Sequence, residues 1–330
     1  MSQQLLVITG VSGFVGFRVL AEALGKGYRV RAVIRKAAQS ELIKSAESVK
    51  PHLDKLEFVV VPDLLARGAF DGILVGADGI KNIRRDMIDP AINATLRVLE
   101  SAKNVPTIKR IVITASIGTI LKWDWISSND RTRVFTASDT YTPTNLDGPF
   151  ANVVDAYFTS KAAALAATER FIQEEKPHYD VVNIQPSIVT GRHELALTPD
   201  DLLKITNVVT LTQVLDTKDD TLSFGNSVHI DDVARVHIDA LNPSVPGNRN
   251  YLCASGGEAG TDYRDAKNIV RRHFSKAVED GTLPLTGSQP VRPVRFDASE
   301  TEKVFGFKFA SYEEQVKSIV GQYLSLVAAK

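Results

Sequence analysis

The sequence has very little cysteine, and its charge is balanced. Cys253 is the single cysteine among 330 residues, which excludes an internal disulfide and a cysteine-based zinc site. The six histidines show no metal-binding spacing, so we predict no metal site. The 39 Lys and Arg residues equal the 39 Asp and Glu residues in number. The net charge therefore supports neither nucleic acid nor an anionic membrane as a partner.

Long apolar runs are also missing. No stretch approaches the roughly 18 consecutive apolar residues of a membrane-spanning helix. The apolar run near the N-terminus is too short for a signal peptide and lacks a charged lead-in, so we expect a cytoplasmic protein. What is present is ordinary for a globular chain, with 44% hydrophobic and 24% charged residues. This length can form one large domain or two modest ones.

The first motif is a strand followed by a glycine-rich turn and a helix. Residues 5–8 are an apolar run, and apolar residues then recur at helical spacing up to Gly25. Gly10 allows a tight turn, Gly13 leaves space for a phosphate, and Gly16 lets helix and strand approach. This order predicts a dinucleotide site at the helix N-terminus, with an ordinary glycine-rich turn as the alternative. The candidate cofactor-binding residues of this motif are Thr9, Gly10, Ser12, Gly13, Phe14, Val15 and Gly16.

The residues after the second and third strands bear on the choice of nucleotide. An acidic residue after the second strand would favour NAD, but Arg35 and Lys36 stand there. Two cations suit the 2′-phosphate of NADP, so we predict NADP(H); a solvated basic loop is the alternative. Asp63 and Leu64 follow the third strand, residues 56–61, where an adenine ring would lie. Asp63 could accept a hydrogen bond from the adenine amino group or cap the next helix.

Strand and helix patterns alternate through the first half of the chain and predict an α/β fold. The order is that of a Rossmann-type, doubly wound parallel sheet. A fourth strand is expected near residues 80–83, although Lys81 interrupts its apolar pattern. The alternation stops in the second half, which we interpret as a smaller, discontinuous substrate-binding lid. The predicted domains are residues 1–186 plus 224–256 for NADP binding, and 187–223 plus 257–330 for the lid.

A tyrosine and a lysine lie four residues apart in a predicted helix over residues 152–175. Tyr157 and Lys161 would therefore share one helix face. An ammonium group nearby stabilises the phenolate form of a tyrosine, which lets it exchange protons more readily. Ser116, after the strand at residues 110–114, could hold a substrate carbonyl. The alternative is a pair on a solvated face, but the order of glycine turn, serine strand and Tyr-x-x-x-Lys favours an active site.

These motifs together resemble those of the extended short-chain dehydrogenases/reductases, in the branch of dihydroflavonol reductases and fungal aldehyde and ketone reductases. The motifs that carry the resemblance are Thr9-Gly10-x-x-Gly13-Phe14-x-Gly16, Arg35, Asp63-Leu64, Asp89-Pro90-Ala91-x-Asn93-x-Thr95, Thr114-Ala115-Ser116, Tyr157-x-x-Ser160-Lys161, Val228-His229-Ile230-Asp231-Asp232-Val233-Ala234, Phe296-Asp297-Ala298-Ser299 and Gly306-Phe307-Lys308-Phe309. They span nearly the whole chain.

The resemblance implies an NADPH-dependent carbonyl reductase, acting on a small-molecule ketone or aldehyde in secondary metabolism. It implies that Ser116, Tyr157 and Lys161 are catalytic, with Tyr157 as proton donor, and that Tyr157 and Lys161 also contact the cofactor. Pro186 and Ser187 match the segment that passes the nicotinamide. The expected state is a monomer or homodimer.

One region departs from the family pattern. Only nine residues separate Gly79 from Asp89, where the family has a strand end and a longer loop beside the nicotinamide ribose. Two alternatives therefore stay open beside a reductase. One is a nucleotide-dependent epimerase or dehydratase, and the other is a cofactor-binding regulator or decayed reductase.

Overall fold

The structure is a computed structural model, and it describes residues 4–62, 79–82, 88–147 and 149–329. Asp63 and Leu64 lie outside the described residues, as do residues 83–87 in the shortened region. Of the helices in these described ranges, none combines the length and apolar character that a membrane crossing requires. Among the same residues, no group of three or more His, Cys, Asp or Glu side chains is placed to hold a metal ion.

Strands and helices alternate through the first half of the chain, as predicted. The strands are β1 (Leu5–Thr9), β2 (Arg29–Ile34), β3 (Leu56–Val60), β4 (Gly79–Asn82), β5 (Arg110–Thr114), β6 (Val134–Phe135), β7 (Asp180–Pro186), β8 (Val189–Thr190), β9 (Ser223–Gly225), β10 (Val228–His229), β11 (Arg249–Cys253), β12 (Val291–Pro293) and β13 (Arg295–Phe296). The helices are α1 (Phe14–Gly25), α2 (Gln39–Lys44), α3 (Ile88–Ala102), α4 (Trp123–Ser127), α5 (Val153–Glu175), α6 (Pro199–Leu203), α7 (Val208–Val214), α8 (Ile230–Asp239), α9 (Ala266–His273), α10 (Ser275–Glu279), α11 (Ser299–Phe305) and α12 (Tyr312–Ala328).

Seven of the strands form one sheet in the order β11-β7-β5-β4-β1-β2-β3. The pairs β1–β2, β2–β3, β1–β4, β4–β5 and β5–β7 are all parallel. The strand order reverses at β1, with β2 on one side and β4 on the other, and such a reversal is where open α/β sheets bind ligands. The doubly wound fold predicted from the sequence is therefore confirmed.

The fourth strand lies one residue earlier than predicted and occupies the middle of the sheet. Ile80 pairs with Val7 of β1 and with Ile111 of β5. Pairing on both sides satisfies the backbone groups of this strand, whatever side chains it carries. A lysine in its sequence therefore does not prevent a central position.

The chain divides into two compact units. The first comprises residues 1–130, 136–186 and 234–252, and the second comprises 131–135, 187–233 and 253–330. This division differs from the predicted one at residues 131–135, 224–233 and 253–256. The assignment of the cofactor to the first unit and the substrate to the second stays a prediction.

A buried apolar cluster holds the first unit together. It joins the sheet to helices α3 and α5, whose inward faces are apolar at helical spacing. Its buried members are Val7, Val33, Val61, Val98, Leu99, Ala102, Ile108, Ile111, Ile113, Phe171, Tyr179 and Val181. This packing holds β1 and β5 against the last turns of α5.

The second unit has a core of its own around α7, α9 and α12. Its buried members are Ala196, Leu202, Leu211, Val214, Ala266, Ile269, Val270, Leu283, Leu285, Val316, Ile319 and Val320. Helix α12 begins with a capping box, in which Ser311 and Glu314 each satisfy the backbone N–H of the other. The second unit therefore has an apolar core of its own, separate from the cluster of the first unit.

Candidate active site

The glycine turn connects β1 to α1 in the way the sequence predicts. Gly10 has φ +72°, a value that favours glycine, and its carbonyl accepts a hydrogen bond from the Gly13 N–H at 3.0 Å. Gly13 caps α1 without a side chain, and the first turn of α1 carries no acidic residue. A Cβ on Gly13 would meet only the Gly10 carbonyl oxygen, at 3.4 Å. The turn thus leaves room for an anion at the N-terminus of α1, where the first N–H groups of a helix have no partner within the helix.

The other predicted residues of the turn take different environments. Thr9 and Gly16 are buried, Ser12 is exposed, and Phe14 and Val15 are half-buried. Buried Gly16 lies within α1, where the predicted close contact with the strand would be made. These residues therefore shape the turn. The backbone of the turn would face a phosphate.

Sequence reasoning missed Gln39, which holds the glycine turn to the loop after β2. Its Oε1 accepts hydrogen bonds from the backbone N–H groups of Arg35 and Lys36, both at 3.0 Å. Its Nε2 donates to the Ser12 Oγ at 2.9 Å. The only signal in the sequence is a glutamine at the start of the second helix, which by itself predicts no such contact.

The two cations predicted to select NADP lie on that same loop. The side chains of Arg35 and Lys36 are exposed. Neither forms an ion pair with another residue in the described part of the chain. A nearby carboxylate would compete with a phosphate for these two cations. Without such a pair in the described part of the chain, the loop has the charge to accept a 2′-phosphate.

The structure brings the three predicted catalytic residues together. Ser116 begins a short 3-10 turn after β5, and Tyr157 and Lys161 lie one turn apart on α5. The Tyr157 hydroxyl donates to the Ser116 Oγ at 3.2 Å. The Lys161 Nζ lies 5.5 Å from the centre of the Tyr157 ring. Ser116 and Lys161 are 7% and 8% exposed, whereas Tyr157 is 41% exposed, so the tyrosine is the member that solvent or a substrate can reach.

The Ser116 hydroxyl is held by two donors. The Gly118 N–H donates to the Ser116 Oγ at 3.0 Å, and the Tyr157 hydroxyl is the second donor. A serine oxygen accepts two hydrogen bonds and donates one. The hydrogen of Ser116 is therefore available to a third group, such as a carbonyl oxygen.

Local capping positions the helix that carries the tyrosine. The Asn152 Oδ1 accepts from the backbone N–H groups of Val154 and Asp155, at 2.9 and 3.1 Å. The Asp155 Oδ2 in turn accepts from the Ala151 N–H at 2.9 Å. These bonds satisfy N–H groups that the first helical turn leaves without partners. The start of α5 is thereby fixed one turn before Tyr157.

A cavity of about 30 Å³ lies beside Lys161, between α3, α5 and the sheet. Its lining residues are Ala91, Thr95, Ile113, Thr114, Ala115, Lys161, Ala164, Leu165, Thr168 and Asn183. A cavity of roughly 10–15 Å³ already accommodates a water molecule where polar groups line it. The lysine therefore has space for ordered water on its inner side.

Two titratable groups stay in their neutral forms at neutral pH. Burial, with a smaller effect of Asp155, raises the pKa of Tyr141 to about 12. Burial, with a smaller effect of Asp232, raises the pKa of the Cys253 thiol. Cys253 is fully buried. It is a core residue, as its strand-like sequence context indicates.

Pro186 ends β7, and Ser187 is the first residue of the segment 187–233 of the second unit. The Ser187 N–H donates to the Cys253 carbonyl at 2.9 Å. Its Oγ is buried and has no hydrogen-bond partner among the described residues. Their contact with a nicotinamide stays a prediction.

The chain matches one family model and several curated proteins. The model is that of the NAD dependent epimerase/dehydratase family, and it matches residues 6–254. Ketoreductase CTB6 of Cercospora nicotianae is 35% identical over 346 aligned positions, which cover 99% of this chain and 96% of that protein. The NAD-dependent epimerase/dehydratase ALT6 of Alternaria alternata is 32% identical, with 96% of each chain covered.

Solved structures share the fold at low sequence identity. Gre2 from Candida albicans in complex with NADPH has a TM-score of 0.80 and 20% identity, covering 98% of this chain and 99% of that one. Vestitone reductase from alfalfa has a TM-score of 0.76 and 22% identity, covering 99% of each chain. The match to the family model and the similarity to CTB6 confirm the relationship predicted from the motifs. The chain belongs to the NAD dependent epimerase/dehydratase family.

Proposed function

We propose that the protein is an NADPH-dependent reductase of a ketone or aldehyde, with Tyr157 as proton donor. One observation carries the proposal: the Tyr157 hydroxyl lies 3.2 Å from the Ser116 Oγ on a helix that also carries Lys161. Two hydroxyl groups at this separation can converge on one carbonyl oxygen. The name ketoreductase, borne by CTB6 and by sphI of Aspergillus fumigatus, supports the same reaction.

The residues of the first unit fit nicotinamide adenine dinucleotide phosphate. The N-terminus of α1 after Gly13 would hold the pyrophosphate. Arg35 and Lys36, which have no ion-pair partner in the described ranges, would hold the 2′-phosphate. When bound, the nicotinamide supplies a hydride to the carbonyl carbon. Asp63, Leu64, Pro186 and Ser187 stay proposed contacts of the adenine and nicotinamide ends.

The side chains of the site account for the proton side of the reaction. The Ser116 hydroxyl donates a hydrogen bond that holds and polarises the substrate carbonyl oxygen. As hydride adds to the carbon, that oxygen gains negative charge, and the Tyr157 O–H bond breaks to give it a proton. The product is an alcohol, and Tyr157 is left as a phenolate. The Lys161 ammonium stabilises this phenolate until a solvent proton restores it.

The test is turnover by the purified protein with a panel of ketones and aldehydes, followed by loss of NADPH absorbance. We expect Tyr157→Phe to lower kcat by about 10²–10⁴-fold, because a positioned general acid contributes that much. Tyr28→Phe is the matched control, since Tyr28 lies in the turn between α1 and β2, away from the site. Its turnover should equal that of the wild-type protein.

Three results would overturn the proposal. Near-normal turnover by Tyr157→Phe would remove the proton donor from the mechanism. Tight NADPH binding without oxidation by any carbonyl would favour a cofactor-binding regulator. Oxidised nucleotide that copurifies and is regenerated in each cycle would favour an epimerase or dehydratase.

A further inference from the structure

The turn that carries Ser116 depends on the side chain of one threonine. The Ser116 carbonyl accepts a hydrogen bond from the Thr119 N–H at 3.0 Å and another from the Thr119 Oγ1 at 2.7 Å. Thr119 is fully buried. The same turn places the Gly118 N–H on the Ser116 Oγ. The orientation of the serine hydroxyl is therefore coupled to the Thr119 hydroxyl.

A glutamine at the end of β7 holds that threonine. The Gln185 Nε2 donates to the Thr119 Oγ1 at 2.8 Å. Because the threonine hydrogen is already donated to Ser116, its oxygen is the acceptor here. The bonds thus run in one direction, from Gln185 to Thr119 and then to the Ser116 carbonyl. Gln185 is also fully buried, so water does not compete for these bonds.

Stability alone does not account for this glutamine. Its Oε1 is buried and has no hydrogen-bond partner within the described residues. An unsatisfied buried acceptor costs free energy, and apolar residues of similar shape would avoid that cost. The contact of this polar pair with Ser116 offers a better explanation.

We propose that Thr119 and Gln185 are positioning residues that fix the Ser116 hydroxyl beside the Tyr157 hydroxyl. This inference rests on the proposed reductase mechanism. Among the described residues, the side-chain hydrogen bonds of Thr119 and Gln185 reach neither the Ser116 and Tyr157 hydroxyls nor the glycine turn, and the two residues act through the Ser116 backbone. Displacement of a reacting group by about 1 Å can cost roughly 100-fold in rate, so a small rotation of Ser116 is sufficient.

The matched pair Thr119→Val and Thr119→Ser tests the threonine hydroxyl. Valine keeps the shape and removes the hydroxyl, whereas serine keeps it. We expect Thr119→Val to lower kcat by about 10- to 100-fold, with KM for NADPH changed by less than about twofold, because the glycine turn is a separate element. Thr119→Ser should retain most of the turnover. Gln185→Met, which removes only the amide, should show the same kcat loss if Thr119→Val does not fold.

A double-mutant cycle separates positioning from a general loosening of the fold. In a Ser116→Ala background, Thr119→Val should cause little further loss of kcat, because its effect passes through the missing hydroxyl. The solvent deuterium isotope effect on kcat should also increase in Thr119→Val, as proton transfer from Tyr157 becomes slower.

The results that overturn the inference are distinct from those that overturn the reductase. Equal fractional losses in the two backgrounds, or a wild-type kcat in Thr119→Val, would refute the positioning role alone. Absence of carbonyl-dependent NADPH oxidation in the wild-type protein would refute the proposed function.

Discussion

Gln39 and Ser12 are joined by a hydrogen bond of 2.9 Å, from the Gln39 Nε2 to the Ser12 Oγ. The other end of the same amide accepts from the N–H groups of Arg35 and Lys36. One side chain thus connects the turn proposed to bind the pyrophosphate with the loop proposed to bind the 2′-phosphate. A residue that sequence motifs do not include would therefore set the spacing of the two proposed anion sites.

Replacing Gln39 should weaken nucleotide binding without changing the chemistry. Gln39→Leu loses three hydrogen bonds, and each contributes about 0.5–1.5 kcal/mol. Part of this free energy is lost from the complex with NADPH. We expect the Kd for NADPH to rise about tenfold and kcat at saturation to be unchanged. Fluorescence titration measures the affinity, and Gln173→Leu on the exposed side of α5 is the control. An unchanged Kd would contradict the bridging role.

Arg35 should decide between the two nucleotides. A charge-assisted hydrogen bond contributes about 1.5–3 kcal/mol, so Arg35→Ala should raise the Kd for NADPH by about 10- to 100-fold. The Kd for NADH should change little. Added salt should reduce the difference in NADPH affinity between the wild-type protein and Arg35→Ala. Arg29→Ala, an exposed arginine at the opposite end of β2, is the control. Equal losses for NADPH and NADH would show that Arg35 does not contact the 2′-phosphate.

Arg110 should stabilise the first unit. Its guanidinium donates to both Asp180 carboxylate oxygens and to the carbonyls of Ala240 and Asn242, the latter two at 2.7 and 2.8 Å. Breaking a fully buried ion pair costs about 3–5 kcal/mol. Asp180 is partly exposed, so we expect Arg110→Ala to lower the free energy of unfolding by about 2–3 kcal/mol.

Urea unfolding measures that change. Lys44→Ala, which removes an exposed pair with Glu41 on α2, should cost less than about 0.5 kcal/mol and serves as the control. A similar small loss for Arg110→Ala would mean that the guanidinium contributes no more than a surface pair.

His193 should make the protein less stable in mild acid. Burial lowers the pKa of His193, against a smaller opposing effect of the Asp201 carboxylate. The unfolded chain, with a histidine pKa near ~6.5, then binds more protons than the folded chain. The contribution of neutral His193 to the free energy of unfolding is therefore complete above about pH 7. It decreases as the pH falls toward the pKa of His193 in the folded protein. The free energy of unfolding of His193→Gln should vary less with pH in this range than that of the wild-type protein, and an unchanged slope would contradict the prediction.

Much of the first unit could be predicted because its signals are local. Apolar runs, glycines and a cap such as Asn152 act over a few residues, so strand, turn and helix follow from the sequence. Tyr157 and Lys161 are adjacent on one helix for the same reason. Their approach to Ser116 followed from motif order, since the strand and helix ends of a doubly wound sheet meet at one edge.

What could not be predicted depends on contacts between distant segments. Residues 199–214 form two helices, α6 and α7, with a break between them. At the break, the buried Asn207 amide bonds both the N–H and the carbonyl of Gly191. The hydrogen bonds of Gln39 and Gln185 also join segments that are distant in the sequence. No periodic pattern of apolar residues predicts them.

The exposed position of Arg35 and Lys36 has a consequence for how the protein can change over evolutionary time. Surface substitutions away from packed contacts usually alter stability by no more than about 0.5 kcal/mol. These two positions can therefore mutate without endangering the core or the Ser116–Tyr157 pair. In the proposed reductase, the pool of reducing equivalents is therefore a trait that selection or an engineer can exchange separately from the chemistry at Ser116 and Tyr157.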